Sequence, residues 1–121
     1  MKILILDKEY LASRQYVDSW VATLRSRNHV VHDETFLRNL GARGYSLTQY
    51  DVAVVHPDKR DVKRLYDELS KRGDFRIILH SGNQPHESFE LVPSTQFYYC
   101  AKFPATETLV NLIEKGWERK E

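Results

Sequence analysis

The chain has 121 residues, of which 41% are hydrophobic and 29% are charged, a balance typical of one folded globular domain and not of a disordered chain. Its formal net charge of +1 argues against the basic surface of a dedicated nucleic-acid binder, and no apolar run approaches the ~18 residues that a membrane-spanning helix needs. The one cysteine, Cys100, excludes an internal disulfide and a cysteine-based zinc site and fits a reducing compartment, so we predict a cytoplasmic protein.

Short apolar runs alternate with segments of helical periodicity along the chain. The runs predict five strands, in chain order 3–6, 30–31, 50–55, 75–79 and 97–101. Apolar residues at helical spacing predict helices over about 9–27, 36–40, 62–69 and 109–113, with a weaker helical segment over 85–92. Asn28, Gly41, Gly44 and Gly73 are expected to end the first three helices.

This alternation predicts an α/β fold, a doubly wound three-layer α/β/α sandwich around a parallel sheet. In such sheets the functional cleft lies beyond the carboxyl ends of the strands. The residues expected at that edge are Asp7, Lys8, Glu9, His56, Pro57, Asp58, His80, Ser81, Gly82 and Lys102.

Four segments carry a resemblance to a known family. The opening Ile-Leu-Ile-Leu-Asp-Lys-Glu resembles the first strand and acidic cluster of bacterial response-regulator receiver domains. Residues 50–56 resemble the strand that ends in their phosphorylated aspartate, residues 77–81 the strand that ends in Ser or Thr, and residues 99–104 the last strand with its lysine. The resemblance implies a flavodoxin-like receiver topology, with strand order 2-1-3-4-5.

The departures from that family concern the residues of phosphotransfer. His56 stands where receivers have the attacking aspartate, and Lys8 stands at the second acidic position. His80 takes the place of the small hydroxyl residue, with Ser81 one residue later, and Phe103 interrupts the usual Lys-Pro order after Lys102.

Charge decides what this pocket can hold. Receiver pockets place three carboxylates around magnesium, whereas here Asp7 is expected to face Lys8 and Lys102, with Glu9 starting the helix. A lysine ammonium about 5 Å from a divalent ion costs roughly 6 kcal/mol at an effective dielectric constant of about 20. We therefore predict no magnesium site, no cofactor and no acyl-phosphate cycle.

The same residues have other interpretations. Asp7 and Lys102 are most simply a structural ion pair, and His56 a strand-end histidine, although His56 could also be a phosphorylated histidine or a general base. Asp7, His56 and His80 together could ligate zinc, but no close histidine spacing supports such a site. Asp58 is expected to cap the third helix.

An aromatic strand precedes Lys102. Either its alternate members pack in the core, or its outward members form a docking face, as the family's interaction surface implies; the candidate face is Phe97, Tyr99 and Phe103. Cys100 is expected to pack as a small hydrophobic residue. On the third helix, Lys63 with Asp67 and Arg64 with Glu68 are spaced for a solvated, salt-bridged face.

These observations predict a receiver-like domain over residues 1–116, followed by a charged tail at 117–121. We expect a pseudo-receiver that is not an enzyme and that binds a protein partner in signalling or transcriptional regulation without phosphorylation. By family likeness alone, a homodimer through the fourth and fifth elements is consistent with this interpretation. The alternative is a sensor or enzyme that binds a small ligand, an anion or a metal in the cleft. A third interpretation is a domain cut from a longer DNA-binding regulator.

Overall fold

A five-stranded, all-parallel sheet forms the centre of the protein, with strand order β2-β1-β3-β4-β5. The computed structural model describes residues 1–7, 11–56, 59–80, 96–100 and 103–117. The strands are β1 (Lys2–Leu6), β2 (Val30–Glu34), β3 (Val52–Val55), β4 (Arg76–His80) and β5 (Phe97–Cys100). The predicted flavodoxin-like α/β fold is confirmed.

Four helices are described around this sheet. They are α1 (Leu11–Ser26), α2 (Arg38–Ala42), α3 (Lys59–Lys71) and α4 (Thr106–Lys115), and a 3₁₀ turn, Leu47–Gln49, precedes β3. The helical segment predicted at 85–92 and the Asp58 cap lie outside the described residues. None of the helices in the described ranges has the length and apolar character that crossing a membrane requires.

Each face of the sheet has its own hydrophobic core. On one face, the strands pack against α2 and α3 through residues such as Leu40 and Leu65. On the other face, they pack against α1 and α4 through residues such as Trp20 and Ile113. Consecutive residues of β1, β3 and β4 alternate between the two cores, which is the period-two pattern of strands buried on both sides.

Two helix ends show the difference between helical and left-handed backbone. Asn28 has a φ of 67° and follows the end of α1, as predicted. Gly44, with a φ of 78°, follows α2 in the same way. The prediction that Gly41 ends α2 is wrong. The helix continues through Gly41, which has no positive φ, to Ala42.

The salt-bridged face predicted for α3 is not formed. Glu68 pairs with Arg72 at 3.6 Å, and the Arg72 guanidinium also donates to the Tyr50 carbonyl at 2.8 Å, which draws the pair toward β3. No ion pair joins Lys63 to Asp67 or Arg64 to Glu68, all of whose side chains are described. The exposed cations of α3 are therefore less compensated than their spacing suggests.

Trp117, the first residue of the predicted tail, packs on the fold. Its ring lies 5.5 Å from the ring of Tyr98, and the Arg76 guanidinium lies 5.4 Å from it. Arg76 also donates to the Ile113 carbonyl at 2.6 Å, near the end of α4. The packed structure thus includes Trp117, and the rest of the predicted tail, 118–121, lies outside the described residues.

Candidate functional site

Three polar residues come next to one another where the central strands end. Leu6 pairs in register with Val55, and Val55 with Leu79, so the residues that follow them, Asp7, His56 and His80, form a row across β1, β3 and β4. The His56 amide continues the sheet by donating to the Leu6 carbonyl at 2.8 Å. Because side chains alternate along a strand, all three project toward the α1–α4 face.

His80 is the most deeply buried member of this row. Its side chain has no exposed surface, and neither ring nitrogen has a hydrogen-bond partner within the described parts of the chain. Burial, together with repulsion from the neighbouring His56, lowers the pKa of His80 to about 3. His80 is therefore a neutral imidazole at physiological pH.

Aromatic rings surround the two histidines. Phe103 stacks nearly parallel to His56 with ring centroids 5.8 Å apart, and its centroid is 4.9 Å from that of His80. Trp20 meets His80 edge-on at 5.1 Å, and the half-exposed Tyr16 stacks parallel to Phe103 at 5.4 Å. We call these five residues the aromatic cluster; their ring spacings lie within the range of favourable aromatic contacts.

Hydrogen bonds from α1 hold this cluster in place. The indole nitrogen of Trp20, which is fully buried, donates to the Pro104 carbonyl at 3.1 Å. A hydrogen bond of 2.8 Å joins the hydroxyl groups of Ser19 and Thr106, and Thr106 lies three residues after Phe103. The segment that carries Phe103 is thereby fastened to α1, so the ring has a defined position beside the histidines.

The chemistry of the row does not fit magnesium. Asp7 supplies one carboxylate, whereas His56 and His80 supply imidazoles, and Mg²⁺ prefers oxygen ligands. Within the described ranges, no group of three or more His, Cys, Asp and Glu side chains is arranged to hold a metal ion. The stacked ring of Phe103 also presents an apolar surface to His56.

The predicted pocket is thus seen in part. The structure brings Asp7, His56 and His80 to one edge as expected. The other predicted members, Lys8, Glu9, Ser81 and Lys102, lie outside the described residues, and with them the expected ion pairs to Asp7.

The three residues of the predicted docking face do not share one surface. Phe97 is 2% exposed and packs in the α2–α3 core, which corrects its assignment to an exposed face. Tyr99, two residues later, is half-buried against the same core, whereas Phe103 belongs to the aromatic cluster on the opposite face. Cys100 packs there as well, in the role predicted for it.

Sequence reasoning missed the contribution of α1 to this edge. The helix predicted over 9–27 contains Tyr16 and Trp20, but neither is among the residues predicted for this edge. A signal was present for Tyr16, which lies in the first half of α1, because parallel-sheet topology places the start of the first helix near the end of the first strand.

Comparisons with protein-family models, with curated proteins and with solved structures find no significant match to this chain.

Proposed function

We propose that this protein is a pseudo-receiver, a receiver-like domain that binds a protein partner in signalling or transcriptional regulation without being switched by phosphorylation. The fold class is consistent with this proposal, since its strand order is that of flavodoxin-like domains. The observation that carries the proposal is the aromatic cluster, in which Phe103 lies against His56 and His80.

Two properties of the cluster argue against phosphotransfer. Aspartyl phosphorylation needs a carboxylate nucleophile and a divalent cation, and His56 supplies neither the carboxylate nor an oxygen ligand. The ring of Phe103 stacked on that residue also presents an apolar surface there, which is unfavourable for an anion. A scaffold that keeps its sheet and loses this chemistry retains its surfaces, which supports a binding role.

The test is incubation with acetyl phosphate and magnesium, followed by intact-mass measurement, beside a phosphorylatable receiver as the positive control. We expect no covalent adduct on this chain under conditions that label the control. An adduct whose formation is lost in His56→Ala or in Asp58→Asn would overturn the proposal and identify the accepting residue.

One observation favours a second candidate, a sensor for a small polar ligand. The ring nitrogens of His80 are buried without a partner among the described residues, and such groups ordinarily bind a water or a ligand. A thermal-shift screen against nucleotides, phosphates and divalent metals distinguishes the two candidates. Stabilisation of the wild type by a ligand that disappears in His56→Ala favours the sensor. No stabilisation of the wild type by any of these ligands favours the docking domain.

A further inference from the structure

An open groove lies between α2, the 3₁₀ turn and α3, on the face of the sheet opposite the aromatic cluster. Its volume is about 460 Å³. Its apolar lining comprises the exposed Tyr45, the half-buried Leu47 and the buried Leu37 and Leu40, and its polar lining includes Ser46 and Thr48. This volume falls within the ~300–1,000 Å³ of clefts that hold drug-sized ligands, so the groove has room for a few apolar side chains.

Uncompensated positive charge borders this groove. Arg64 and Lys71 line it from α3, and neither has an ion-pair partner in the described parts of the chain. Glu68 also lines it, but its carboxylate is paired with Arg72, which leaves Asp67 as the exposed carboxylate of that wall. On the opposite side, residues 35–50 contain Arg38 and Arg43 and no acidic residue, but Arg43 is paired with Glu34 at 2.9 Å.

A second acidic side chain of α3 is turned away from the solvent. Asp61 is 9% exposed, and its carboxylate accepts a hydrogen bond of 3.1 Å from the Leu37 amide, just before the start of α2. Lys63, in contrast, is exposed on α3 without an ion-pair partner among the described side chains. The surface beside the groove is therefore basic, although the charges of α3 look nearly balanced in the sequence.

Gly41 leaves space in the groove because it has no side chain. It lies within α2 at an ordinary helical φ, where alanine would be the better helix former, and it lines the groove. A Cβ atom built there would meet no atom within 4 Å. Glycine at this position is thus not required by the fold, and a larger side chain would extend into the groove.

We propose that this groove binds an acidic segment of a partner protein that also carries large apolar side chains. The apolar floor takes the partner's apolar residues, and Arg64 and Lys71 meet its carboxylates. The inference rests on the proposed docking function and names its partner class. A protein segment fits better than a nucleic acid, because leucines line the site and the whole chain carries a net charge of only +1.

The probe is a fluorescein-labelled synthetic peptide with Leu at i, i+3, i+4 and i+7 and Glu at the intervening positions, titrated with the full chain while anisotropy is measured. We expect saturable binding that weakens as salt is added. The double variant Arg64→Glu/Lys71→Glu should weaken it by at least about tenfold. Gly41→Phe should abolish binding while leaving the melting temperature close to that of the wild type.

Matched controls separate the groove from general charge. Lys63→Glu changes the same helix outside the groove and should weaken binding by less than about threefold. A peptide with Gln in place of Glu, and one with Ser in place of Leu, should both bind poorly. Equal binding of the Gln peptide, or an unchanged affinity of the double variant, would overturn the inference, as would a nucleic-acid oligomer that displaces the peptide at equal concentration.

Failure of this inference is distinguishable from failure of the proposed function. Absence of peptide binding in a chain that also forms no acyl-phosphate adduct would reject the groove and leave the pseudo-receiver proposal standing. An adduct with acetyl phosphate, together with unchanged peptide binding, would reject phosphorylation independence and leave the groove.

Discussion

The two faces of the sheet differ in whether their polar side chains are buried or exposed. On the α1–α4 face, the carboxyl edge buries His80 among aromatic rings and excludes solvent from it. On the α2–α3 face, the groove leaves Arg64 and Lys71 exposed beside an apolar floor. At the carboxyl edge, aromatic rings pack around the described histidines, whereas the groove on the other face is open. This difference is the reason why we propose the open face, and not the carboxyl edge, as the binding surface.

The largest expected effect comes from the filled edge. Trp20→Ala removes a fully buried ring and its hydrogen bond to the Pro104 carbonyl, and should lower the free energy of unfolding by about 3–5 kcal/mol. Leu47→Ala removes a partly buried side chain at the groove and should cost about 1 kcal/mol. Urea unfolding measures both, and equal losses would mean that the two regions are packed alike.

A pH titration of stability comes next in size. The depressed pKa of His80, about 3, means that the unfolded chain binds this proton between pH 3 and pH 6.5 while the folded chain does not. Stability therefore falls as pH is lowered, by about 2 kcal/mol between pH 7 and pH 5 from this residue. His80→Leu should remove that part of the slope. A variant with the wild-type slope would show that His80 is not buried as a neutral group.

Two glycines beside the groove give the smallest effects, with opposite signs. Gly41→Ala lies in helical backbone with open space around it and should stabilise the fold by about 0.5–1 kcal/mol. Gly44→Ala must hold a φ of 78° and should destabilise it by about 1–2 kcal/mol. Thermal unfolding of the pair tests the backbone assignment, and a loss of stability in Gly41→Ala would contradict it.

The strands and their order could be predicted because local pattern decides them. Unbroken apolar runs such as 52–55 indicate strands covered on both sides, and helices between them require parallel connections. The row Asp7, His56 and His80 followed from the same reasoning, since residues after adjacent parallel strands meet at one edge.

The ring contacts and ion pairs could not be predicted in the same way. Phe103 looked like an interruption between Lys102 and Pro104, and only the packing of α1 against the sheet makes it the neighbour of His56. On α3, i,i+4 spacing offers Glu68 both Arg64 and Arg72, and the hydrogen bond from Arg72 to the Tyr50 carbonyl selects Arg72. The spacing of residues along one helix does not show which hydrogen-bond partners another element supplies.

The most direct test of the central claim is NMR observation of the His56 and His80 ring resonances while beryllofluoride and magnesium are added together. A filled edge without a magnesium site predicts that both sets of resonances remain at their positions in the free protein. A saturable shift of either ring that requires both components would show that the edge accepts a phosphoryl mimic, and would contradict the claim.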